Sequence, residues 1–345
     1  MPKKQKPKEI SELGEFGLIE HLTKKIKLKN PSTIKGIGDD AAVVKHSGQT
    51  IITTDMLVEN VHFNLMYTPL KHLGYKSAVV NFSDCYAMNA RPEQLTVSMA
   101  ISNKYCVEDL EDLYEGILLA CKIYGVDLVG GDTTTSPGGL VLSLTVLGDL
   151  GKNQPVYRSG AKDNDLICVS GDLGAAYIGL QLLEREKEVF KVNPHSQPDF
   201  TGLDHLLEKQ LKPEARKDVI EFFAQTGIVP TSMIDVSDGL SSEVLHICKN
   251  SGVGCSIYEE KIPVADVTAR MAREMNLDPT TCALNGGEDY ELLFTLPQKD
   301  FDKINDIDGI SIIGHINPKE TGCMLVARDG TLVPLVAQGW NHFGS

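Results

Sequence analysis

Short apolar runs alternate along this chain with segments in which apolar side chains recur every three or four positions. From Thr50 to Thr54 the β-branched run TIITT predicts a strand that ends on Asp55, placing that carboxylate where strand becomes loop. Between residues 107 and 124, Leu110, Leu113, Tyr114, Ile117, Leu118 and Cys121 fall at helical spacing, and Gly125 follows as a stop signal. Next come the strand VDLV, the turn GGDTTTSPGG and the strand LVLSLTVLG, so the first half reads as an α/β domain ending near Gly148.

The segment GDLGKNQPVYRSGAKDND is rich in Gly, Pro, Asn and Asp and marks a connection. Beyond it, DLICVS predicts a strand, GAAYIGLQLLERE a helix, SMIDV a strand, GLSSEVLHICKNSG a helix closed by glycine and DYELLFTLP a strand. The polar stretch from Glu184 to Gly202, with Pro194 and Pro198, predicts a loop or insertion. The expected organisation is a basic tail over 1–11, one α/β domain over 12–150 and a second over 151–345.

A length of 345 residues suits two such domains, each able to bury its own core. With 33 basic against 47 acidic residues the net charge is −14, which argues against a broad nucleic-acid-binding face and suits divalent cations. No run approaches the roughly 20 apolar residues of a membrane span. The basic start MPKKQKPKEI lacks the apolar core of a secretory signal, so the expected location is cytoplasmic. Eight cysteines are scattered without a CxxC pair, which predicts buried free thiols rather than zinc sites or disulfides.

Aspartates recur in five motifs read as turns: GIGDD, TTD, NFSD, GGD and DVSDG. One Gly-Asp cluster is an ordinary solvated turn. Recurrence points instead to magnesium, which takes hard oxygen ligands and is held by a few carboxylates together with substrate phosphates. Phosphoryl transfer needs charge neutralisation and positioning more than a nucleophile on the protein. The glycines of GGDTTTSPGG and NGGEDYE would let backbone N–H groups approach an anion, while the absence of GxxxxGKS excludes a P-loop and the absence of GxSxG a nucleophile elbow. Arg158 reads equally as a phosphate ligand or an exposed linker arginine. His62 is readable as a substrate ligand or a packed side chain, and Trp340, the single tryptophan, as a core anchor or a stacking surface.

The ordered set GEFGLI, GIGDDAAV, TTDMLVENVHF, NFSDCYAMNARP, GGDTT, RSGAK, IDVSDGL, GGEDYEL and GWNHF resembles the thiamine-monophosphate kinases, over Glu12 to Phe343. That resemblance implies magnesium-dependent, in-line transfer of the γ-phosphate of ATP to thiamine monophosphate. It also implies the aminoimidazole ribotide synthetase-like fold: a ferredoxin-like N-terminal domain whose sheet pairs in a homodimer, and a C-terminal α/β domain that completes the site. Carried over residue by residue, Asp40, Thr53, Thr54, Asp55, Asp84, Asp132, Asp235 and Asp238 would hold magnesium, with Asp39 supporting the turn. Gly131, Asp132, Arg158, Ser237 and Tyr114 would contact ATP, and His62, Glu288 and Trp340 the thiamine phosphate. Selenophosphate synthetase or aminoimidazole ribotide synthetase is the competing enzymatic reading, and a non-catalytic nucleotide- or metal-binding homologue the competing class. The chain lacks the reactive N-terminal cysteine of the first, and its C-terminus NHFGS lacks the cysteine of the hydrogenase-maturation relative.

Overall fold

The structure is a computed structural model that describes residues 9–38, 41–305 and 307–338, with the side chains of Glu15 and Phe16 left aside. Asp39, Asp40 and Trp340 lie outside the described residues. The chain divides into two compact units, Met1–Cys85 with Ala90–Asn153, and Tyr86–Asn89 with Gln154–Ser345. No described helix is long and apolar enough to cross a membrane.

The first unit runs α1 (Gly14–Thr23), β1 (Thr33–Lys35), β2 (Val43–Val44), β3 (Thr50–Val58), α2 (Leu70–Ala87), β4 (Arg91–Ile101), α3 (Val107–Tyr124), β5 (Asp127–Thr135) and β6 (Val141–Asp149). Strands β1 and β2 pair with each other, and the other four form a sheet in the order β3-β6-β4-β5. Strand β6 is antiparallel to both β3 and β4, whereas β4 and β5 are parallel. A parallel pair needs a long crossover, and α3 supplies it. This chain order, with its one parallel pair, departs from the β-α-β-β-α-β antiparallel arrangement of a ferredoxin-like domain. Helix α3 forms where its periodicity predicts, burying Leu110, Leu113, Ile117 and Cys121 and ending on Gly125 at φ 77°. Helices α2 and α3 meet backbone to backbone: a Cβ at Gly74 would collide with the Leu113 carbonyl, and one at Gly116 with that of Lys71.

Three of the five aspartate motifs are not turns. TTD lies inside β3, which runs on to Val58, so Asp55 sits within the strand rather than at its end. NFSD belongs to α2, and GGDTTT is part of β5. In each case the pairing or packing of the whole element extends it through polar residues that read locally as turn formers.

The second unit contains β7 (Leu166–Ser170), α4 (Ala175–Val192), α5 (Asp204–Leu211), α6 (Lys217–Thr226), β8 (Ser232–Asp235), α7 (Leu240–Ser251), β9 (Gly254–Tyr258), α8 (Asp266–Glu274), α9 (Pro279–Asn285), β10 (Leu292–Leu296), α10 (Phe301–Ile304), β11 (Ile310–Asn317), β12 (Cys323–Val326) and β13 (Leu332–Pro334). Its seven strands are ordered β13-β12-β9-β11-β7-β10-β8 and pair antiparallel, apart from the parallel β12 and β9. Ile167, Val169, Ile234, Val244, Ile257, Leu293 and Ile313 form the core against α7. The polar stretch expected to be a loop from Glu184 is helical as far as Val192, because Ile178, Leu182 and Leu183 anchor α4 and the polar turns continue it.

Candidate active-site residues in the two units

Strand alternation sorts the predicted ligands of the first unit onto two faces. Thr53 donates through Oγ1 to Asp84 Oδ2 at 2.5 Å, and the Asp55 N–H donates to Asn81 Oδ1 at 3.1 Å, so this side of β3 faces α2. Burial, and then the Asp84 carboxylate, push Asp55 up to about 6. Two carboxylates so close in a poorly hydrated place are what a divalent cation relieves, and oxygen donors are what magnesium takes. Asp55, Asp84 and the Thr53 hydroxyl therefore fit such an ion.

Thr54 and Asp132 belong elsewhere. Thr54 Oγ1 donates to the Leu144 carbonyl at 2.9 Å and accepts from Thr145 Oγ1 at 3.1 Å, on the face turned away from α2. Asp132 stands in register with Ser98, which pairs with Ser143, which pairs with Met56; this row projects on the same outer face. Strands β3 and β5 are the opposite edges of the sheet, about 14 Å apart at roughly 4.8 Å per strand. The chain thus brings Thr53, Asp55 and Asp84 together but not Thr54 or Asp132. Among the described residues no three carboxylates converge closely enough to hold one ion.

Gly131 has a structural reason as well: a Cβ there would collide with the Val97 carbonyl across the parallel pair. Tyr114 is buried in α3, and burial pushes its phenol up to about 12. His62 is half-buried just beyond β3, where its Nδ1 accepts from the Val58 N–H at 3.0 Å. That bond fixes the proton on Nε2 in the neutral ring.

In the second unit the segments DVSDG and GGEDYE run together beyond their strands. Val236 N–H donates to the Glu291 carbonyl at 2.7 Å, Tyr290 N–H to Val236 at 2.9 Å and Glu288 N–H to Ser237 at 2.8 Å. Close approach requires Gly287, whose added Cβ would collide with the Ser237 carbonyl. Glu288 and Tyr290 take positive φ, 67° and 52°, a conformation with a steric cost for residues bearing a Cβ. Asp235 is buried at the end of β8, while Asp238 is exposed just before α7 and its N–H donates to Glu243 Oε1 at 3.0 Å. Glu288 Oε2 accepts from Gln210 Nε2 at 3.0 Å. Arg158 is exposed, beside Tyr157, whose carbonyl accepts from Met233 N–H at 2.9 Å.

Beneath this ladder lie two buried carboxylates that the motif reading missed. Glu291 accepts from Ser170 Oγ at 2.6 Å, Lys209 Nζ at 2.5 Å and Arg216 Nη1 at 2.6 Å. Asp289 accepts from the Gly174 N–H at 2.7 Å, and burial pushes it up to about 7. Their signal was present in GGEDYE as three acidic residues where one was used. Lys209 and Arg216 carried no motif at all.

Residues 38–150 match the family model described as AIR synthase related protein, N-terminal domain. Thiamine-monophosphate kinase of Bacillus subtilis (strain 168) is 33% identical over 341 residues, covering 96% of this chain and 100% of the relative. Among solved structures, AaThiL complexed with AMPPCP and TMP is 32% identical with a TM-score of 0.75, covering 96% of this chain and 98% of that one. Thiamine-monophosphate kinase from Stenotrophomonas maltophilia K279a is 29% identical with a TM-score of 0.78, covering 93% and 98%. With identity of this order running through both units and over the whole of the bacillary relative, this chain belongs to the thiamine-monophosphate kinase family.

Proposed function

We propose that the chain transfers the γ-phosphate of ATP to thiamine monophosphate, giving ADP and thiamine diphosphate. The likeness over 96% of this chain and all of the bacillary kinase carries the reading. The solved complex of a relative with AMPPCP and TMP supports a nucleotide and a second ligand bound to this fold.

In this reading an oxygen of the acceptor phosphate attacks the γ-phosphorus in line as the bond to the β,γ-bridging oxygen breaks. Asp55 and Asp84, with Thr53 oriented by Asp84, would hold Mg2+, and Asp235 and Asp238 are assigned the same task in the second unit. Held by these residues, magnesium would supply the charge neutralisation that phosphoryl transfer needs. Gly131, Asp132, Arg158 and Ser237 are assigned to ATP, Ser237 standing just before the N-terminus of α7, where backbone N–H groups favour anions. Tyr114 is given no hydrogen-bonding role, because its burial suits packing. His62, Glu288 and Trp340 are assigned to thiamine monophosphate, Glu288 complementing the cationic thiazolium. Residues 12–150 are assigned to nucleotide, metal and dimer formation and 151–345 to the remainder of the site.

A homodimer through the four-stranded sheet is part of the proposal. Ile52 and Met56 stand 69% and 58% exposed on its outer face, two large apolar side chains among Thr54, Ser98, Ser143 and Asp132 that a second copy would cover. The test is ADP release by the purified chain with ATP and magnesium. Thiamine monophosphate should support it, while thiamine or no acceptor should not; acceptor-independent ADP release would defeat the proposal.

A further inference from the structure

Three of the eight cysteines, scattered in sequence, converge in the second unit. Cys248 sits in the last turns of α7, Cys255 in β9 and Cys323 at the start of β12. Gly252, at φ 71°, turns the chain from α7 into β9 and sets Cys248 beside Cys255. The parallel pairing of β12 with β9 puts Cys323 in direct register with Cys255. The three sulfurs all lie within 4.8 Å of one another.

Buried cysteines commonly pack as small apolar side chains, and Cys248 and Cys255 are indeed within the core cluster. Packing alone does not require three sulfurs to meet at one point. A metal site does: with bonds of about 2.3 Å, sulfurs around a trigonal ion stand about 4 Å apart. The scaffold is also held in advance. The Cys255 N–H donates to the Gly322 carbonyl at 3.0 Å, and the Leu335 N–H to the Cys323 carbonyl at 2.9 Å, so both strand ligands are fixed by backbone bonds. Cys323 is half-buried, which gives the cluster a side from which an ion enters.

Ligand count decides the ion. Thiolate sulfur is soft and selects Cu(I), zinc or iron–sulfur clusters. Zinc in a structural site takes four protein ligands. Among the described residues no histidine or carboxylate joins the three sulfurs. We propose that Cys248, Cys255 and Cys323 form a binding site for a thiophilic cation, Cu(I) being the ion that three sulfurs without a fourth protein ligand select. Binding exchanges thiol protons for the metal and releases them to solvent.

The test uses the full reduced chain under anaerobic conditions, titrated with Cu(I) in competition with a chromogenic Cu(I) chelator, with Zn(II) titrated in parallel. One equivalent of Cu(I) per chain is expected, held more tightly than Zn(II), with three sulfur neighbours by X-ray absorption. Cys323→Ser should weaken it by more than the roughly 10–100-fold that loss of a supporting outer group costs. Cys106→Ser, a half-buried thiol of the first unit, should leave it unchanged. No uptake, equal binding by Cys323→Ser, tighter Zn(II), or fewer than three sulfurs in the absorption spectrum of the unaltered chain would overturn the proposal. The last measurement holds whether or not a variant folds.

Discussion

Glu291→Ala isolates the polar layer on which the second unit's loops rest. The wild-type side chain is 3% exposed and holds Lys209 and Arg216, themselves 19% and 16% exposed, together with the Ser170 hydroxyl. Removing one partner of a buried ion pair costs about 3–5 kcal/mol, because the remaining charge stays buried without compensation. Here the cations keep other partners: Lys209 retains Asp172 at 3.7 Å and Arg216 retains Asp218 at 2.7 Å. The loss therefore falls at the low end, about 3 kcal/mol. At about 2–4 °C per kcal/mol for a unit of this size, the melting temperature should drop by about 6–12 °C. Differential scanning calorimetry of the full chain measures it. Glu291→Gln, which keeps an acceptor for Ser170, should fall between wild type and Ala. A drop below about 3 °C for Glu291→Ala would refute the view that this carboxylate neutralises the two cations.

Asp84→Asn should reduce turnover at least ~100-fold, the scale of losing one electrostatic stabiliser, with partial recovery at high magnesium; an unchanged rate would remove Asp84 from the metal site. Gly131→Ala places a Cβ against the Val97 carbonyl and should cost about 1–3 kcal/mol, read as a lower urea midpoint; an unchanged midpoint would leave ligand approach as the sole reason for glycine there. Trp340→Ala should raise the Michaelis constant for thiamine monophosphate more than that for ATP, and equal effects would sink its assignment to the acceptor. The His205–Asp172 pair, at 3.0 Å, predicts a pH dependence of stability. Its hydrogen bond to Asp172 raises His205, so that contribution is full below the ordinary histidine value of about 6.5 and is lost as pH rises through the folded value. Asp172 is lowered by the His205 hydrogen bond against its burial, so its contribution is full above the ordinary aspartate value of about 3.9 and lost on acidification. His205 is more than one-third exposed on its side chain, so solvent limits the effect to under about 1 kcal/mol. The urea midpoint should be higher near pH 5.5 than near pH 8, and His205→Ala should narrow that difference; an unaltered pH difference in the variant would refute the pair's role.

Elements whose own residues carry the signal were legible in the sequence. Helix α3 follows its apolar spacing to Gly125, and α7 follows its own to Gly252, because side-chain burial and a left-handed cap are local instructions. Positions settled by pairing were not legible. TTD and GGD look like turns until β6 and β4 extend the strands through them, and NFSD looks like a loop until α3 packs on α2. The site shows the same division. Thr53, Asp55 and Asp84 were recognisable as oxygen donors, yet that Thr54 and Asp132 face the other side of the sheet follows from register alone. Lys209 and Arg216 belong to no motif in the sequence, and their roles appear once the fold sets them over Glu291. The cysteines likewise seemed separate until the parallel pairing of β9 and β12 joined them.

Direct transfer between two substrates is tested by following the phosphate itself. The purified chain should be incubated with magnesium, thiamine monophosphate and ATP carrying an isotopic label in its γ-phosphate. Label is expected in the terminal phosphate of thiamine diphosphate, with one ADP formed for each. Label appearing in inorganic phosphate without labelled thiamine diphosphate, or formation of AMP, would contradict it.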